Sequence, residues 1–172
     1  MESRMYFEAV QQVSKTLQAM EGWFEKAGNY AESRGFDAGV FLHARLAPDQ
    51  FDFTRQIQSA CDAAKFLAAR TAGKDPPKHP DTEDDGKLLV ARIRAVVEYL
   101  ATFKPEDFEG ADARVIPLGW MPGKGMTGRD YLWQLAIPNF YFHATTAYAI
   151  LRHNGVDLGK VDYLGPIALV DV

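Results

Sequence analysis

His143 stands in the run Asn139-Phe140-Tyr141-Phe142-His143-Ala144-Thr145-Thr146, four residues after Asn139. In a helix that spacing puts the amide and the imidazole on one face, a turn apart. Asn139 also falls between Leu135 and Phe142 on an apolar stripe, so the pair is expected at the edge of a core, where polar groups need partners. One reading is a structural hydrogen-bond pair, completed by Thr146 or a buried water. The other is a site in which both groups face a cleft and hold a small ligand or, through His143, a divalent metal. A second grouping lies on an earlier helix, where Arg55, Gln58, Asp62 and Lys65 step by three, four and three residues. This polar stripe is either a solvated face with a weak Asp62–Lys65 pair, worth a few tenths of a kcal/mol, or a wall on which Gln58 and Asp62 turn toward His143 across a cleft. His43, just after Val40-Phe41-Leu42, precedes that helix and is a further candidate.

The remaining reactive residues have plainer readings. His79 lies in a proline-rich loop and is expected to be solvated, and His153 ends a helix, where a cation suits the dipole. Cys61, the one cysteine, falls on a core-facing position and reads as a small apolar filler. A single cysteine excludes an internal disulfide and a cysteine-rich zinc module. The sequence contains no G-x-S-x-G, P-loop, H-E-x-x-H or C-x-x-C signature. Gly119 to Gly128 is glycine-rich but has no Lys-Ser/Thr after it, so it reads as a flexible loop and not as a phosphate cradle.

The elements that must position these residues are four amphipathic helices. Tyr6, Val10, Val13, Leu17, Met20, Phe24, Ala27 and Ala31 alternate steps of four and three and predict one helix of about seven turns, capped by Gly35. Phe53, Ile57, Ala60, Ala64 and Leu67 predict a second, with Pro48 and Asp49 in its first turn and Gly73 at its end. Leu89, Ile93, Val96, Leu100 and Phe103 predict a third, with Thr82, Asp84 and Asp85 at its start and Pro105 after its end. Leu132, Leu135, Phe142 and Ala149 mark a fourth, ended by Gly155 and bent at Pro138. The stripes through Val13, Ile57, Val96 and Phe142 are expected to meet in one core. The connector 74–81 carries three prolines and cannot continue a helix. Residues 110–128 predict an irregular excursion or a small β-hairpin around Val115–Leu118, and the tail after Gly155 is expected to be extended. The fold class is therefore all-α, a four-helix bundle with that excursion before the last helix, in one domain over residues 1–172.

Composition bounds the function classes. The 172 residues are 47% hydrophobic and 24% charged, values typical of a soluble globular chain. A formal net charge of −4 argues against a binder of the nucleic-acid backbone, which needs clustered Lys and Arg. No apolar run reaches the roughly 18 residues of a membrane span, and MESRMYFEAVQQ lacks the apolar stretch of a signal peptide. A cytoplasmic location, with neither nucleic acid nor membrane as a partner, is expected.

The segments FLHARLAPDQF, RQIQSACDAAKFLAARTAG and PNFYFHATTAYAILRHNGVDLGK, with the closing DYLGP, resemble the bacterial DUF1993 family of the DinB-like group across nearly the whole chain. The resemblance implies a DinB-like four-helix bundle that is commonly dimeric. It also implies the group's frequent metal site, a nickel or zinc ion held by one histidine of the second helix and an H-x-x-x-H of the last. Aligned on ILRHNGV, that pattern places His143 at the second histidine, Asn139 at the first and Gln58 at the helix-two position. Two amides and one imidazole make a poor shell for zinc or nickel, unless Asp62 or His43 substitutes. The expectation is loss of the metal with retention of a pocket. The protein would then bind a small molecule near His143, lined by Asn139, Gln58, Asp62 and His43, without a tightly held metal. The alternatives are a divalent-metal-dependent hydrolase or low-molecular-weight thiol transferase using His143, and a purely structural dimer. A homodimer is expected in each case, through helix one between Val10 and Met20 or through helix four.

Overall fold

The computed structural model describes residues 2–171. Its elements in chain order are α1 (Glu2–Arg34), a 3-10 segment (Ala38–His43), α2 (Phe53–Ala72), α3 (Gly86–Leu100), a second 3-10 segment (Pro105–Phe108), β1 (Val115–Pro117), β2 (Gly125–Thr127), α4 (Gly128–Asp130), a π-helical stretch (Tyr131–Ala136), α5 (Ile137–His153) and α6 (Lys160–Leu164). Four long helices, α1, α2, α3 and α5, pack side by side, and α2 touches the other three.

Local chemistry sets the ends. α1 closes on Gly35 at φ 74°, with the Phe36 amide reaching back to the Ala31 carbonyl at 3.1 Å, a glycine-terminated helix end. Asp52 caps α2 by accepting from the Arg55 amide at 2.9 Å, so the helix starts there and Pro48 and Asp49 lie in the preceding turn. Asp85, and not Thr82, caps α3, accepting from the Leu88 amide at 2.7 Å. The excursion is a hairpin in which Val115 pairs with Thr127 and Pro117 with Gly125. At Gly128, where β2 turns into α4, a Cβ would collide with the Ala111 carbonyl, so the chain passes there only as glycine.

The predicted seams of the first three helices are buried, apart from the half-buried Phe24, and form one hydrophobic cluster. The fourth is a correction. Phe142 is 56% exposed, and the buried line instead runs through Ala136, Phe140, Ala144, Ala147 and Leu151. Of the other predicted positions Leu132 is buried, Leu135 is half-buried against the core and Ala149 is half-buried, so Phe142 alone faces outward. Pro138 is accommodated by the π-helical stretch just before it. The Ile137 amide bonds to the Leu132 carbonyl five residues back, a widened turn that suits a residue with no amide hydrogen of its own.

The tail is the other correction, since it folds into α6 against α1. Trp23 Nε1 donates to the Asp162 carbonyl at 3.0 Å, and its indole stacks on Tyr163 at 6.0 Å between centroids. Lys26 pairs with the Asp162 carboxylate at 2.9 Å.

Candidate functional site

α2 presents two polar faces that point to different neighbours. On the face toward α5, His143 Nδ1 lies 2.7 Å from Gln56 Oε1. The Gln56 Nε2 donates to the Phe51 carbonyl at 3.3 Å, which fixes the amide with its oxygen toward the imidazole. An amide oxygen only accepts, so Nδ1 carries the proton and Nε2 keeps its lone pair. The Phe51 ring lies nearly parallel to the imidazole, at 13° and 6.5 Å between centroids, and Phe142 meets it edge-on at 5.2 Å. Burial lowers the His143 pKa below the usual histidine value, and the nearby Arg55 charge lowers it further. The side chain is therefore a neutral imidazole of fixed tautomer, able to accept one hydrogen bond through Nε2.

On the face toward α3 lies a buried ion network. Arg92, with 1% of its side chain exposed, reaches Asp62 at 2.9 Å, Asp81 at 2.8 Å and Glu83 at 3.1 Å. Lys65, 3% exposed, pairs with Asp62 at 2.8 Å and lies 3.4 Å from His79 Nδ1. Gln58 Nε2 donates to Glu83 at 2.8 Å, and Arg55 bonds to Gln58 and Asp81. Burial opposes the charge on Arg92, but the Glu83 hydrogen bond and the Asp62 and Glu83 charges outweigh it and raise its pKa. Burial likewise opposes ionisation of Asp81, and Arg55 and Arg92 outweigh it to lower that pKa. Three cations match three carboxylates, so the network is a clasp that pins the 74–85 connector across α2 and α3. His79, expected to be solvated, is half-buried in it, and burial followed by the Lys65 and Arg92 charges depresses its pKa.

The predicted site residues thus separate. His143 faces α2, but its partner is Gln56, two residues before Gln58. Gln58 and Asp62 face α3 and the connector, because residues 56 and 58 lie about 200° apart around a helix. Asn139 is exposed, and His43 is also exposed, its Nδ1 3.9 Å from Asp52. The polar stripe on α2 is neither the solvated face nor the cleft wall that the sequence offered. Gln56 gave no signal of its own, since a buried glutamine on an apolar seam has no motif. Cys61 is buried beside the network, and burial pushes its thiol up to about 12, which removes it as a nucleophile at neutral pH.

No group of three or more His, Cys, Asp or Glu able to hold a metal ion occurs among the described residues. At His143 the neighbouring oxygen belongs to an amide already bonded to the imidazole, and the first-histidine position is an exposed asparagine. The residues present do not fit zinc or nickel as a three-ligand site. No described helix is long and apolar enough to cross a membrane.

A family model described as "Domain of unknown function (DUF1993)" matches residues 5–164. The crystal structure of a DinB family member from Shewanella denitrificans, at 1.83 Å resolution, superposes with a TM-score of 0.96 at 43% identity, covering 99% of this chain and 97% of that one. No curated protein matches the chain.

Proposed function

Since the chain belongs to the DUF1993 family and is DinB-like in fold, a lineage that fixes a bundle but no reaction, we propose that it is a small-molecule-binding protein anchored at His143 without a tightly held metal. The observation that carries this reading is the His143–Gln56 hydrogen bond at 2.7 Å with the Gln56 amide itself tied to the Phe51 carbonyl. A partner that fixes one ring nitrogen leaves the other poised for a ligand. Phe51 and Phe142, both half or more exposed, flank the imidazole with apolar surface, the usual composition of a recognition site. The ligand class is a flat apolar molecule bearing one N–H or O–H donor. The cytoplasm is the proposed location, where a lone thiol such as Cys61 stays reduced.

The test uses phenol and indole as probes, with toluene as the donor-free control, followed by chemical-shift mapping on the protein. Phenol and indole should shift His143, Phe51 and Phe142, and toluene should bind more weakly. His143→Ala should weaken phenol binding by one hydrogen bond, about 1–3 kcal/mol. A His143→Ala protein that is less stable but binds phenol unchanged would assign the histidine a purely structural role.

We further propose a homodimer formed through the face of α5 that exposes Phe142. Leu135, Phe142 and Ala149 recur at seven-residue spacing, the first and last half-buried, and Phe142 is 56% exposed. The alternative face is less suited. Between Val10 and Met20 the apolar side chains of α1 face the bundle's own core, and Gln11, Gln12 and Gln18 are what the helix shows to solvent.

A further inference from the structure

A cavity of about 900 Å³ lies between α1, the Ala38–His43 segment and the start of α3, and His143 is not among the residues that line it. Its size falls in the range of small-molecule pockets. The floor is aromatic. Phe24, Phe41 and Phe53 line it, with the Phe24 and Phe53 rings 5.4 Å apart. Three glycines, Gly28, Gly39 and Gly86, form parts of the wall. Gly28 is inside α1, where glycine is disfavoured. A Cβ built there meets no atom within 4 Å, so no close contact of the bundle requires a glycine. The missing side chain leaves cavity space open.

The rim has one predominant sign. Glu25, Asp37, Asp84 and Asp85 line it, against Lys87 and Arg94. Arg94 is already paired with Glu21 at 2.9 Å. Asp37 and Asp85 each use Oδ1 to cap a backbone amide, at 2.8 Å and 2.7 Å. Glu25 and Asp84 take no hydrogen bond or ion pair among the described residues. The half-buried Phe24 ring, backed by the buried Phe41 and Phe53, under a carboxylate rim is complementary to a positive charge carried on an apolar body, through Coulomb attraction at the rim and cation–π attraction at Phe24.

We propose that this cavity is a binding site for a small organic cation, an amine or quaternary ammonium group on a compact apolar or aromatic body, separate from the His143 site. The probes are phenethylamine and benzyltrimethylammonium, with phenylacetate and benzyl alcohol as the anionic and neutral counterparts, titrated into 15N-labelled protein. Both cations should give saturable shifts at the Gly28, Gly39 and Gly86 amides, at least fivefold tighter than phenylacetate. Gly28→Phe should fill the space and abolish those shifts while the circular dichroism spectrum is kept. Glu25→Gln combined with Asp84→Asn, two surface changes, should weaken both cations at least threefold and leave benzyl alcohol unaffected. His143→Ala should leave cation binding intact, which separates this site from the one proposed above. The proposal is overturned if neither cation binds saturably, if phenylacetate binds as tightly as they do, or if the double variant binds them unchanged.

Discussion

The half-buried imidazole of His143 and the buried guanidinium of Arg92 both pack against α2, yet they behave in opposite ways. Arg92 stays charged because three carboxylates surround it. His143 stays neutral because burial and Arg55 penalise its proton. The sign of the resulting pH dependence follows. A histidine whose pKa is lower folded than unfolded makes the unfolded state the better proton binder, so stability is lost as pH falls below the unfolded value near 6.5. His79 acts in the same direction. Thermal melting between pH 7.5 and 5 should show a falling midpoint, and His143→Phe should flatten the fall. Gln56→Glu places a carboxylate at the imidazole and should raise the His143 titration, readable by NMR. At this scale the sequence showed that His143 and Asn139 share a turn but not which way the turn faces. Gln56 lies 87 residues from His143, and nothing local to either residue encodes their pairing.

The helices themselves were largely legible, since α1, α2 and α3 each have one apolar stripe and polar residues elsewhere. α5 was misread for a physical reason. Residues 140–151 carry apolar or aromatic groups on nearly every side, so two stripes compete and periodicity alone does not rank them. The structure buries the line through Phe140, Ala144 and Leu151 and leaves Phe142 outside. The exposed Phe142 makes a direct prediction. Phe142→Ser should shift sedimentation from dimer toward monomer while the single chain stays folded, because the side chain is largely solvent-exposed there. A monomeric parent protein at micromolar concentration would contradict it. The charge stripe of α2 was visible, but its partners were not, because Arg92, Asp81 and Glu83 arrive from another helix and a connector. Arg92→Met leaves Asp62, Asp81 and Glu83 crowded without their cation and should cost about 3 kcal/mol or more, measured by urea unfolding.

Across the whole molecule, the bundle arranges its polar chemistry around α2. One side, facing α5, is the single imidazole. The other, facing α3, is a charge-balanced clasp that holds the proline-rich connector in place. Arg55 joins the two, with its guanidinium 5.5 Å from the Phe51 ring and bonded to Gln58 and Asp81. Breaking the clasp should therefore be felt at His143. In Asp81→Asn, where Arg55 loses a charged partner, the His143 resonance and its titration should both move, although the two residues share no direct contact. An unchanged His143 spectrum in that variant would show that the two faces are independent. α6 closes the other side of the molecule through Trp23 and Lys26. Its docking was invisible in the sequence because a five-residue helix carries too short a pattern to read.

The proposed function requires a neutral, Nδ1-protonated His143 whose Nε2 is offered to a small ligand in place of a metal. The most direct measurement is a long-range 1H–15N spectrum of the histidine rings in tag-free protein at pH 7, before and after one equivalent of Zn²⁺ or Ni²⁺. The prediction is an Nδ1–H imidazole at His143 whose shifts do not change on metal addition. A stoichiometric metal shift at His143 Nε2, abolished in His143→Ala, or a ring protonated at Nε2 in place of Nδ1, would contradict it.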